Sequence, residues 1–262
     1  MSIRDITLGR YVHGSSFLHR LDPRTKFLAS FLVMGALLAG KGYYPALIAL
    51  GFAIAAGALS GLPFSYILRS ILPFKWLIII TVLLNCIFTG GHILVEAPLP
   101  YGGVTSEGLE YGILYGARIA ILVLIASIMT LTTEPVVLVD GIEKLLRPFA
   151  RFGLRPHDIA LSMVITIRFI PVLLDEAVKI RKSHAARGLR PAGIRANLKS
   201  VSILFVPLFI SAIRRAEELA VAMESRLYRS GEHRTRYREI RMASRDWAAL
   251  AAACIFASAM IV

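Results

Sequence analysis

An all-α, polytopic membrane helical bundle of about five transmembrane helices, with a cytoplasmic or interfacial domain of long amphipathic helices, is the architecture this sequence predicts. Three observations lead there. The chain of 262 residues is 56% hydrophobic and has a mean hydropathy of +0.66, whereas soluble domains are usually ~45–50% apolar. Only 18% of its residues are charged, against about a quarter in soluble proteins. Its net charge is nevertheless +13, and the cations gather away from the longest apolar runs. A soluble enzyme is thereby disfavoured, and disorder is excluded because it requires low hydrophobicity. Cys86 and Cys254 both lie in apolar runs, so neither a disulfide framework nor a thiolate metal site is suggested.

The first 26 residues carry Arg4, Arg10, Arg20, Arg24 and Lys26 without an apolar core, unlike a secretory signal. About 20 residues at ~1.5 Å each span a bilayer, so crossings are expected near 24–40, 44–62, 74–94, 111–133 and 243–262. Small residues around Gly40-Lys41-Gly42 suit a tight hairpin between the first two. The third holds Asn85, a polar residue expected to act as glue between helices. The loop at 96–110 has Glu96, Glu107 and Glu110 but no cation, and the fourth crossing contains a single charge, Arg118. The last runs uncharged from Trp247.

Residues 134–245 hold 21 Lys and Arg against 11 Asp and Glu. Cationic loops stay in the cytoplasm, so the N-terminus and 134–245 are expected inside and the C-terminus outside. The expected domains are an N-terminal membrane region at 1–133 with four transmembrane helices, a basic domain at 134–245, and a C-terminal transmembrane helix at 246–262. Within the basic domain no apolar stretch is read as a crossing. Pro207 interrupts the 14 uncharged residues between Lys199 and Arg214, and Arg168 splits the run between Asp158 and Asp175. An arginine at a helix centre costs ~2.5–3.5 kcal/mol on insertion. Two amphipathic helices at or below the inner surface are expected instead; the alternative is that one makes a sixth, re-entrant crossing.

The two helices share a design. Ile170, Leu173, Ala177, Ile180 and His184 recur every three or four residues on one stripe, Arg187 continues it, and Gly188 follows where helices commonly end. In the second, Ile213, Ala216, Ala220, Met223 and Leu227 form the stripe, with Arg215, Arg226 and Arg229 a quarter-turn or more away. An arginine in a last turn can simply complement the helix dipole, worth ~0.3–1 kcal/mol. Alternatively, two exposed helix ends each present a guanidinium fork to a partner's carboxylates or backbone carbonyls. Spacing alone leaves both open.

Other patterns carry no chemistry. Gly35 to Lys41 imitates a phosphate-binding loop, but Gly42 stands where Ser or Thr should hold magnesium, and the match lies in an apolar helix-turn. His92 and Glu96 make no convincing metal pair, and no metal, cofactor or catalytic set assembles elsewhere. The absence of carboxylates inside the uncharged runs of the crossings counts against a proton- or sodium-driven carrier. The basic tract at 226–245, beside a final crossing, fits anionic lipid better than nucleic acid.

The residues also resemble those of a family, the transmembrane T components (EcfT type, related to CbiQ and BioN) of energy-coupling factor transporters. The resemblance covers nearly the whole chain. It is carried by Gly9-Arg10-Tyr11, by Leu18-His19-Arg20-Leu21-Asp22-Pro23-Arg24-Thr25-Lys26, by Thr132-Thr133-Glu134-Pro135 and by Arg168-Phe169-Ile170-Pro171. Ala186-Arg187-Gly188 is similar to the first of the family's paired Ala-Arg-Gly motifs. The second falls on Ser225-Arg226-Leu227, where Ser and Leu replace Ala and Gly and the arginine stays. The resemblance implies a non-catalytic subunit of a prokaryotic cell (inner) membrane, without a cofactor. It further implies that Arg187 and Arg226 dock on two cytoplasmic ABC ATPase subunits of EcfA type. The striped helices would couple them to a separate membrane S component that binds a vitamin or transition-metal ion. A stand-alone small carrier or intramembrane enzyme is the competing reading; it needs a polar site inside the crossings.

Overall fold

A computed structural model describes residues 12, 14, 16–96, 103–188, 194–228 and 242–261. The helices in chain order are α1 (Pro23–Ala39), α2 (Tyr44–Ser60), α3 (Phe64–Arg69) and α4 (Lys75–Phe88). A short antiparallel pair, β1 (Ile93–Glu96) and β2 (Gly103–Thr105), leads into α5 (Ser106–Thr132). There follow α6 (Pro135–Leu146), α7 (Pro156–Ala186), α8 (Ile194–Ser225) and α9 (Ser244–Ile261). The protein is all-α and polytopic. Phe64–Phe88, Ser106–Thr132, Pro156–Ala186 and Ser244–Ile261 are long and apolar enough to cross a membrane, and Tyr44–Ser60 is apolar but shorter.

Four details differ from the sequence reading. The third crossing starts earlier, with α3 and a 3₁₀ turn at Leu72–Phe74 ahead of α4. The fourth begins at Ser106 rather than 111, because the Thr105 hydroxyl caps it by accepting the Gly108 N–H at 3.1 Å. Asn85 donates to the Thr81 carbonyl at 2.8 Å, so this bond lies within its own helix rather than between helices. Most consequentially, the expectation that nothing in 134–245 fits a crossing is corrected by α7. It continues for 31 residues through Arg168 and Pro171 and has the length and apolarity of a span.

The chain divides into two compact units, one of residues 9–141 with 240–262 and another chiefly of residues 142–239. In the first, buried small and branched side chains of α1, α2, α5 and α9 make the core, among them Ala29, Val33, Ala49, Ile121, Ala253 and Ala257. Small residues let helices approach closely where lipid offers no hydrophobic drive. Gly108, Gly112 and Gly116 put this to use on α5: a Cβ at Gly112 would lie 3.1 Å from the Val82 carbonyl of α4.

Helices α1 and α9 run parallel. At their starts the Asp22 N–H donates to Asp246 Oδ1 at 2.8 Å. At their ends a Cβ on Gly40 would stand 2.9 Å from the Met260 carbonyl oxygen and collide with Pro45. Lys26, one turn into α1, donates to the Thr132 carbonyl at 2.9 Å and to Thr133 Oγ1 at 3.4 Å. The end of α5 and the start of α9 thus lie at one end of this unit. The intervening chain leaves and re-enters this unit at the same end.

At the opposite end Arg118 accounts for the lone charge of the fourth crossing. Its Nη2 donates to the Gly40 and Gly42 carbonyls at 2.8 and 3.0 Å, closing the α1–α2 hairpin. Arg118→Met should cost about 1–3 kcal/mol by orphaning those acceptors. A thermal midpoint in detergent unchanged from the parent chain would refute this role.

Candidate docking site on the two long helices

In the unit of residues 142–239, α7 and α8 are each continuous through a mid-helix proline, Pro171 and Pro207 respectively. A helix interior normally disfavours proline because it removes a hydrogen bond and crowds the preceding turn. Here both helices continue past it for further turns. They pack against each other along part of their lengths. Between them runs an apolar groove of about 350 Å³.

Five stripe residues line that groove: Ile170 and Leu173 from α7, and Ala216, Ala220 and Met223 from α8. Ala177 and Ile180 continue the α7 stripe and are half-buried, while Ile213 is exposed. Phe169 and Leu219 also line the groove and were not singled out by the sequence stripe. Both sit one residue from stripe members, so a wider apolar arc, normal for a helix against more than one neighbour, would have included them. Across the rim, Arg215 Nη2 donates to Glu176 Oε2 at 3.2 Å. This arginine is engaged within the unit, unlike a fork held out for a partner. A partly exposed pair of this kind contributes about 0.2–1 kcal/mol, so it sets register more than stability.

The two motif arginines occupy equivalent places. Ala186 ends α7, Arg187 is its C-cap, and Gly188 takes the left-handed conformation with φ +82°. The Gly188 N–H donates to the Ala185 carbonyl at 3.1 Å. On α8, Ser225 is the last helical residue, Arg226 follows, and Leu227 takes φ +56°. The Leu227 N–H donates to the Glu224 carbonyl and the Tyr228 N–H to the Met223 carbonyl, both at 2.9 Å. That pair of bonds is a Schellman cap, and the bond found at Gly188 is its inner member. All six motif residues are exposed. Replacing Gly by Leu therefore preserves the turn that carries the arginine, although Leu227 is 80% exposed and strained.

A left-handed non-glycine residue costs ~1–2 kcal/mol. Leu227→Gly should relieve about that much locally, seen as roughly fivefold slower amide hydrogen exchange at Leu227 and Tyr228. Faster exchange in the variant would show the left-handed turn to be unstrained.

Two stretches of the family resemblance meet elsewhere. Asp22 to Lys26 and Thr132-Thr133 form the buried contact between α1 and α5 described above, which is a packing role. Gly9-Arg10-Tyr11, Arg229 and most of the basic tract at 229–241 lie outside the described residues. Among the described residues no three His, Cys, Asp or Glu gather to hold a metal ion.

Known proteins align along nearly the full chain. The family described as cobalt transport protein, CbiQ, matches residues 14–237. The energy-coupling factor transporter transmembrane protein EcfT of Thermosediminibacter oceani is 42% identical, covering 99% of this chain and 98% of its own length. Its counterpart from Acidaminococcus fermentans is 42% identical over 91% of this chain and 89% of its own. That of Bacillus subtilis is 40% identical over 96% and 95%.

Proposed function

The chain belongs to the CbiQ/EcfT family of energy-coupling factor transporter transmembrane proteins, and from that premise we propose that it is the coupling subunit of such a transporter. It is a multi-pass membrane subunit and not an enzyme. Arg187 and Arg226 each dock on one of two cytoplasmic ABC ATPases, where ATP is hydrolysed. The α7–α8 pair transmits their closure to a membrane S component that binds a vitamin or a transition-metal ion. The N-terminus and residues 134–245 face the cytoplasm and the C-terminus lies outside, with 1–133 and 246–262 as the membrane region. Helix α7 has the length of a span, but Arg168 at its centre and its pairing with α8 hold it at the inner surface.

The observation that carries this reading is the equivalence of the two helix ends. Two exposed arginines at matching cap positions, on two packed helices, suit two similar partner surfaces. The parallel run of α1 and α9 supports the orientation, because an even number of crossings must separate the end of α5 from the start of α9. Copurification from native membranes tests the assembly. Two ATPase subunits and one S component per chain are expected, with uptake into vesicles requiring ATP. Transport by the purified chain alone would overturn it.

A further inference from the structure

An apolar cavity of about 330 Å³ lies among α1, α2, α5 and α9. It is about twice the ~150 Å³ cavity that takes up benzene in a soluble protein, and it reaches the lower range of ligand sites, ~300–1,000 Å³. Its floor comes from α1 and α5, where Thr25, Ala29, Ile125 and Ile128 are buried. Its rim comes from α2 and α9, where Ala55, Leu59, Ala248 and Ala252 are exposed. The mouth therefore opens sideways between two apolar helices, and in a membrane the medium at that mouth is hydrocarbon chain. Alanines on both rim helices keep the space open.

One end is marked by polar groups. Thr25 is fully buried and lines the cavity, yet its hydroxyl has no hydrogen-bond partner, an uncommon state for a buried polar group. At the same end exposed Arg20 precedes the lining residue Leu21, and exposed Arg245 stands one turn before the lining residue Ala248. An apolar chain with an acceptor oxygen at its head and a negative charge just beyond fits these three features together.

We infer that this cavity binds one acyl chain of an anionic phospholipid, its ester carbonyl accepting from the Thr25 hydroxyl and its phosphate attracted by Arg20 and Arg245. The lipid fills the gap between α2 and α9 and becomes part of their packing. This site lies apart from the motif arginines and does not depend on the coupling role.

The test uses the full-length chain reconstituted in vesicles of phosphatidylethanolamine and phosphatidylglycerol, re-extracted in mild detergent and weighed by native mass spectrometry. One phosphatidylglycerol per chain should survive washing that strips loosely held lipid. Ala252→Phe and Ala56→Leu, which fill the cavity from opposite walls, should each abolish retention. Thr25→Val, nearly isosteric, should lower it about fivefold, the worth of one hydrogen bond, and decides the matter if neither filled variant folds. The inference fails if the parent chain retains no phosphatidylglycerol, or if the folded variants retain it undiminished. It fails equally if neutral phosphatidylcholine is held as well, or if a free fatty acid or a partner's helix proves to be the occupant.

Discussion

Replacing Arg187 and Arg226 together by alanine is expected to release the ATPases and reduce ATP-driven uptake at least ~100-fold, with membrane insertion unchanged. Both side chains are exposed, and both leave the helix at its cap. A charge-assisted hydrogen bond contributes about 1.5–3 kcal/mol, so each site should weaken ~10- to 100-fold and the two losses should compound. If the arginines merely complemented their helix dipoles, each would contribute only ~0.3–1 kcal/mol to stability, and uptake would persist. Lysine at both positions separates charge from shape. It keeps the charge but loses the planar fork, and intermediate uptake is expected. Full uptake and undiminished copurification of the double alanine variant would remove these residues from the docking surface.

The second large effect is expected at a residue with no part in docking. Asp246 is 3% exposed and accepts two backbone N–H groups, from Asp22 and from Ala243, each at 2.8 Å. The buried ammonium of Lys26 is attracted to it. Asp246→Ala would orphan both donors and remove a carboxylate that attracts the Lys26 ammonium. Leaving a buried backbone donor without an acceptor costs ~1–3 kcal/mol, and losing two acceptors at once at this chain length lowers the thermal midpoint by roughly 10 °C. Asp246→Asn retains one acceptor and should recover part of the loss. Size-exclusion profiles after graded heating in detergent measure both variants. A midpoint for the alanine variant within about 2 °C of the parent would mean that α1 and α9 are held by apolar packing alone.

How far each feature could be read in the sequence follows from its range. The apolar helices were legible because apolar length is a local property: the expected 24–40 and 44–62 became the helices Pro23–Ala39 and Tyr44–Ser60, each of 17 residues and short of a full span. The fourth crossing was displaced by five residues because its start is fixed by the Thr105 cap rather than by hydropathy. The length of α7 is hidden in the sequence because Arg168 splits its apolar run. A single arginine and one proline do not stop a helix whose other residues keep a continuous apolar face. Asn85 was assigned to a neighbouring helix, although a polar side chain in an apolar helix can also satisfy itself on the carbonyl one turn back.

By itself the sequence determined the membrane class, the approximate bounds of most apolar helices and the two arginines near helix ends, since these depend on composition and on residues within a few turns. Only the tertiary structure decided what the other charges do. Lys26 and Asp246 lock α1, α5 and α9 together, Arg118 closes a hairpin, and Arg215 is held by Glu176. It also decided that Ser225-Arg226-Leu227 adopts the turn of Ala186-Arg187-Gly188. The physical reason is distance along the chain. The Asp22–Asp246 bond joins residues 224 apart, and a buried charge acquires a partner only when folding brings that partner out of a remote segment. A left-handed leucine, likewise, is held by the two capping bonds around it rather than by its own preference.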